Sequence, residues 1–194
     1  MKIYTNMVNE FSDIIESSLH YAYENKINKI LIFSKNGDSA LALKKQLSEK
    51  NTSIKIMAIL FPANEHFFKR DNDGNVEEFI PNSPRKGKIN ILEQAEIQPI
   101  YGTLPFENVI VPGTTNNIYS TIKQTLSLVS PGLQLAVQGV LMATDQGFLS
   151  DNEHVISIVS DISVDITSAN SRLMFHPQYG LNINHIIAQK KKQN

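Results

Sequence analysis

The sequence predicts a three-layer αβα protein built on a mostly parallel twisted sheet, with a β-hairpin insertion and a strand-rich C-terminus. Three observations predict it. Ile30-Leu31-Ile32-Phe33 is an apolar run of strand length that ends abruptly in Ser34-Lys35-Asn36-Gly37-Asp38. Apolar positions then return at Ala40, Leu41, Leu43 and Leu47, the spacing of one helix face. Leu133 to Asp145 is apolar on nearly every side, as in a helix covered all round, although a strand followed by a turn has the same composition.

The first strand expected is Lys2 to Thr5, and Asn9 is placed to cap a helix with Glu10 and Asp13 at its positive end. Phe11, Ile14, Ile15, Leu19 and Ala22 form its apolar face, and it stops near Asn25. The central strand grows from Ile27, and a helix follows through Leu47, fading from Ser48 to Thr52. Ile54 to Phe61 is the third strand, ended by Pro62.

Glu65 to Lys88 breaks the alternation. His66 to Arg70 and Val76 to Ile80 read as a hairpin turning at Asp73-Gly74. Asp71, Asp73 and Asn75 have the spacing of a calcium loop, but its glycine and terminal glutamate positions hold Val76 and Asn82, so no metal is expected. Pro81 to Gly87 is a loop and a candidate lid. Ile89 to Ala95 is a short helix, Gln98 to Tyr101 a short strand ending at Gly102-Thr103, and Thr114 or Thr115 caps a helix with Ile118, Ile122, Leu126 and Val129 on one stripe. Pro131-Gly132 breaks the chain before the buried helix, which Gly147 ends in a left-handed residue. Val155 to Val159, Arg172 to Phe175 and a closing edge strand, Asn184 to Ala188, complete the sheet.

The 194 residues suit a single domain, 1–194, that buries about 70% of its unfolded surface, with an insertion at about 65–88. The chain has no cysteine, which excludes disulfides, thiolate metal sites and cysteine nucleophiles and suits a reducing cytoplasm. Eighteen basic and nineteen acidic residues are interspersed, so no basic face points to nucleic acid or an anionic membrane. Lys190-Lys191-Lys192 reads as a solvated tail. No signal-peptide pattern and no apolar run of about 20 residues occurs, so a cytoplasmic protein is expected.

In such sheets ligands bind at the carboxyl edge, where backbone amides and helix N-termini converge. That makes Ser34, Asn36, Gly37, Asp38 and Ser39 the leading binding candidates, with Asn6, Phe61 beside Asn64, Thr103 beside Gly102, and Asp161 beside Ser160 as further pocket walls. Asp38 has two readings. Its carboxylate can cap the helix and repel a phosphate, or accept from ribityl or ribose hydroxyls. Asp145, at the negative end of the buried helix, needs a hydrogen-bonding or functional partner. Arg172 and His176 could meet an anion. His20, His66, His154, His176 and His185 have no paired metal spacing, and no nucleophile–base set can be assembled, so the catalytic residues are unknown.

Gly37-Asp38-Ser39-Ala40 after a strand, Gly132-Leu133-Gln134-Leu135-Ala136-Val137-Gln138, and Met142-Ala143-Thr144-Asp145-Gln146-Gly147 resemble the stand-alone proteins similar to the C-terminal α/β domain of pyruvate kinase. That family writes these motifs as Gly-x-Thr-Ala, Gly-x-Lys-Val-x-Val-Glu and Met-Ala-Ala-Asp-x-Gly. The resemblance implies a pyruvate kinase C-terminal-like fold without a catalytic barrel, no pyruvate kinase activity, and a flavin mononucleotide (FMN) or similar phosphorylated small molecule as occupant. Three departures stand out. Gln138 replaces the family's glutamate; Ala63-Asn64-Glu65-His66 replaces a His- and Gly-containing loop; and Val159 to Thr167 replaces a glycine-rich turn leading to Gly-x-Asp-Thr, of which Asp165 corresponds to the aspartate. Side chains there obstruct close backbone approach to a phosphate. Three functions follow as expectations: a small-molecule-binding protein; a homo-oligomeric structural module with a vestigial pocket, whose interface is Phe67, Phe68, Phe79 and Ile80 of the hairpin; or an enzyme acting on the same ligand class, for which the sequence supplies polar residues but no recognisable nucleophile and base.

Overall fold

The computed structural model describes residues 5–48, 53–61, 67–70, 76–79, 86–106 and 117–191. The chain runs β1 (Asn6–Val8), α1 (Phe11–Asn25), β2 (Lys29–Phe33), α2 (Asp38–Ser48), β3 (Lys55–Ile59), β4 (Phe67–Arg70), β5 (Val76–Phe79), α3 (Lys86–Gln94) and β6 (Ile97–Ile100). It continues through α4 (Asn117–Ser127), α5 (Leu133–Asp145), β7 (His154–Val159), β8 (Ile162–Thr167), a 3-10 turn at Ser171–Leu173, and β9 (Asn182–Lys190).

The architecture is α/β in three layers. Seven strands form one sheet in the order β1-β9-β8-β7-β2-β3-β6, and β4 and β5 pair as a separate antiparallel hairpin. Only β8 runs against the others, pairing antiparallel with β7 and β9. The remaining four pairings are parallel. Alternation along β2 divides the core: Ile30 and Ile32 meet α1 and α2, while Leu31 meets α5. Helix α1 is entered through a capping box in which the Glu10 amide donates to Asp13 Oδ2 at 3.1 Å. Helix α5 is buried from Leu133 to Thr144 except at Gln134 and Leu135, as its uniformly apolar sequence requires. No described helix is long and apolar enough to cross a membrane.

Several expectations are corrected. Glu10, not Asn9, caps α1. Arg172 to Phe175 is no strand: Ser171–Leu173 forms a 3-10 turn entered by Asn170, whose side chain accepts from the Arg172 amide. The stretch after Ser160-Asp161, expected to stand in place of a glycine-rich turn, is β8, fully buried along Ile162–Thr167. Strand β9 is longer than expected, and β1 lies outside it, so it is not the edge. Helix α3 begins at Lys86, inside the expected lid loop. Helix α4 ends at Ser127, and two positions of its expected buried stripe, Ile118 and Val129, are exposed. Gly147 does take a positive φ of 78°. The Lys2 to Tyr4 part of the first strand, the Asp73-Gly74 turn, the calcium-like loop, residues 80–85 and the Thr114 or Thr115 cap lie outside the described residues.

Candidate functional site

The turn between β2 and α2 sits at the carboxyl edge, next to the ends of β3 and β7. It begins where the Ser34 amide donates to Ile59 O at 3.0 Å, continuing the β2–β3 ladder by one rung. The chain then reverses through Gly37, whose φ of +88° favours glycine. A Cβ there would also lie 3.1 Å from the Leu92 side chain of α3, so α3 packs directly onto the turn.

The amides at the start of α2 are already engaged. Gly37 N donates to Ser34 O at 3.4 Å, Asp38 N to Asn36 Oδ1 at 3.2 Å, and Ser39 N to Ser34 Oγ at 3.2 Å. Ser34 is buried; Asn36 and Asp38 are exposed. The Asp38 carboxylate accepts from Asn36 Nδ2 and from Lys88 Nζ, delivered across fifty residues of sequence by α3. The Lys88 hydrogen bond holds the Asp38 carboxyl below its usual value. The turn is therefore no open amide cradle for a phosphate. It is a polar surface of carboxylate, carboxamide and ammonium, able to accept from hydroxyls through Asp38 and to donate to an anion through Lys88.

The other candidates divide. Phe61 and Thr103 follow β3 and β6, one and two places along the same edge. Asp161 is also at this edge, after β7, but its carboxylate turns toward α5, accepting from Ser130 Oγ and, at 2.9 Å, from the Gly132 amide that opens the helix. Asn6 lies on β1, four strand spacings from β2, roughly 19 Å at ordinary strand separation. Its side chain donates to Ser17 Oγ at 3.3 Å. Asp145 anchors the 3-10 turn, accepting from Asn170 Nδ2 at 2.7 Å and from the Ser171 amide at 2.9 Å.

Asp165 is buried in β8 beneath α1, among groups drawn from α1, β7 and β9. It accepts from Tyr21 OH at 3.2 Å and Asn184 Nδ2 at 3.1 Å, and His154 Nδ1 lies 3.3 Å away. The Tyr21 ring stacks on His185 at 5.2 Å. Burial, together with the Asp165 charge and hydrogen bond, pushes Tyr21 up to about 12. Burial lowers His185 against the opposing pull of Asp165. This network pins α1 to β8 and β9; among the described residues no group of three or more His, Cys, Asp or Glu could hold a metal.

Lys88 is the site residue that sequence reasoning missed. Its only signal was a position near the end of the hairpin insertion. Two open cavities, of about 640 and 480 Å³, lie elsewhere: one at the amino ends of β2, β3 and β6, the other between α4 and the 171–176 segment.

No protein-family model matches the sequence, and no curated protein matches it. Among solved structures, a pyruvate kinase from Cryptosporidium parvum is similar, with a TM-score of 0.36 and 12% identity over 78% of this chain and 21% of that one. This chain thus spans about a fifth of that enzyme's length.

Proposed function

We propose that the protein is a relative of the pyruvate kinase C-terminal α/β domain that binds a phosphorylated or flavin-type small molecule, FMN-like, at the carboxyl edge, without pyruvate kinase activity. The observation that carries this reading is the Lys88–Asp38 pair at the mouth of the β2–α2 turn. Its side chains are 33% and 59% exposed, so the pair is solvent-screened and costs little to separate. In the bound state Lys88 donates to the ligand's phosphate, and Asp38 and Asn36 take its hydroxyls. The motifs behind the resemblance support it, since Gly37-Asp38-Ser39-Ala40 lies at the β2–α2 junction and the other two motifs open and close α5.

Native mass spectrometry of freshly purified protein tests the reading. A retained mass of nucleotide or flavin size, lost in Lys88→Gln, supports it. Absence of any adduct, together with no rise in melting temperature with flavins, nucleotides or sugar phosphates, overturns it.

A second reading, a homo-oligomeric structural module, is favoured by the apolar groove of about 480 Å³ between α4 and the 171–176 segment. Ile118 and Phe175 beside it are 72% and 75% exposed. The hairpin residues Phe67, Phe68, Phe79 and Ile80 expected at that interface have side chains outside the described residues. A monomeric mass at high concentration removes this reading.

A further inference from the structure

We infer a second ligand site at the opposite edge of the sheet, taking a small organic anion, a carboxylate or phosphate monoester with an apolar or aromatic body. The cleft of about 640 Å³ there falls within the roughly 300–1,000 Å³ of small-molecule pockets. Its floor is the amino ends of β2, β3 and β6, and its apolar wall is Ile54, Met57 and Phe148. Three lysines face it: Lys29, Lys44 and Lys55.

The three cations are not equivalent. Lys29 is fixed, its ammonium 2.8 Å from the Glu153 carboxylate and 3.2 Å from Phe148 O. Burial works against the Glu153 carboxylate, but Lys29, the Ser150 amide and the more distant Lys55 outweigh it and hold its pKa low. Lys44, on α2, pairs with Glu96 at 2.9 Å. Glu96 is 84% exposed, a screened partner that a bound anion can replace. Lys55 opens β3 and has no ion-pair partner among the described residues. Its charge acts on the Glu153 carboxylate only from beyond ion-pair distance, and Glu153 is already paired with Lys29. The opposing charges are Glu93 and Glu96, both exposed on the α3 side, and Glu153, held by Lys29. A ligand whose anionic head meets Lys55 and Lys44 would lay its body along Phe148 and Met57, where apolar contact adds to the charge-assisted hydrogen bonds.

This site is independent of the Lys88–Asp38 edge, so the two stand or fall separately. Titration calorimetry of the full chain with phenyl phosphate, inorganic phosphate and benzyl alcohol tests it. Phenyl phosphate is expected to saturate one site, with the other two binding at least about tenfold more weakly because each lacks one half of the recognition. Lys55→Gln should weaken phenyl phosphate roughly tenfold, the loss of one charge-assisted bond. Glu96→Gln should tighten it, because Lys44 is released, and a misfolded variant cannot produce that sign. Lys88→Gln should leave it unchanged. The inference is overturned by no saturation, by equal binding of inorganic phosphate or benzyl alcohol, by unchanged affinity in both Lys55→Gln and Glu96→Gln, or by loss of binding in Lys88→Gln.

Discussion

Replacing Asp161 with alanine separates two roles that the sequence could not tell apart. As a ligand contact, Asp161 would matter to binding and little to folding. The geometry makes it the remote cap of α5, one oxygen holding both Ser130 Oγ and the Gly132 amide. Hydrogen bonds to a charged group contribute about 1.5–3 kcal/mol each, and a buried donor left unpaired costs about 1–3 kcal/mol. Ser130 is only 2% exposed, so its hydroxyl has little access to replacement water. Both bonds end on one carboxylate oxygen, however, and Asp161 itself is half-buried, so the losses are not additive. About 2–4 kcal/mol is expected for Asp161→Ala, a fall in Tm of roughly 4–16 °C for a chain of this size. Asp161→Asn keeps an acceptor and should lose about half as much. Gly132→Ala attacks the same contact from the other side, since its Cβ would lie 2.0 Å from Asp161 Oδ1, while the backbone φ of −76° suits any residue. Thermal and urea unfolding followed by circular dichroism measure all three. A Tm for Asp161→Ala within about 2 °C of the parent would refute the capping role.

Leu92→Ala removes a fully buried side chain resting on the β2–α2 turn and should cost about 2–5 kcal/mol by urea unfolding. Gly37→Ala should also destabilise through its positive φ, and less so in a Leu92→Ala background, where the facing side chain is gone. Phe175→Ser, at a side chain 75% exposed, should change monomer stability by no more than about 0.5 kcal/mol, whereas a larger loss that depends on protein concentration would mark an interface. The folded state raises Tyr21 to about 12, so its contribution to stability is complete below its unfolded value of 10.0 and is lost as pH rises toward 12. Tyr21→Phe should abolish that alkaline step in a pH series of melts. His185 is lowered from 6.5, so its contribution is present above that pH and is lost on acidification. Glu153 is lowered from 4.5 and follows at lower pH, and Glu153→Gln should remove that later step.

The centre of the sheet was legible because β2, β3 and β7 are largely apolar runs punctuated by turn residues. The boundary of β2 at Phe33 and the start of α2 at Asp38 follow directly from that punctuation. Strand β8 was missed although Ile162, Val164 and Ile166 alternate with Ser163, Asp165 and Thr167, the period of a strand with one polar face. Its polar face is buried, because Tyr21 and Asn184 satisfy Asp165 from α1 and β9. Arg172 to Phe175 misled in the opposite direction, since four residues with apolar content suit a strand until Asn170 and Asp145 supply the caps of a 3-10 turn. At the site, Ser34 to Ser39 could be named because local chain reversal is written locally. Lys88 and the amide partners of Asp161 could not, because pairings across about thirty to fifty residues depend on how helices pack.

The most direct measurement of small-molecule binding at the carboxyl edge is amide chemical-shift mapping of isotope-labelled protein titrated with FMN. Saturable shifts concentrated at Asn36 to Ser39 and Lys88, absent in Asp38→Asn/Lys88→Gln, are the expected result. Shifts confined to the amino ends of β2 and β3, or no saturation at millimolar FMN, would contradict it.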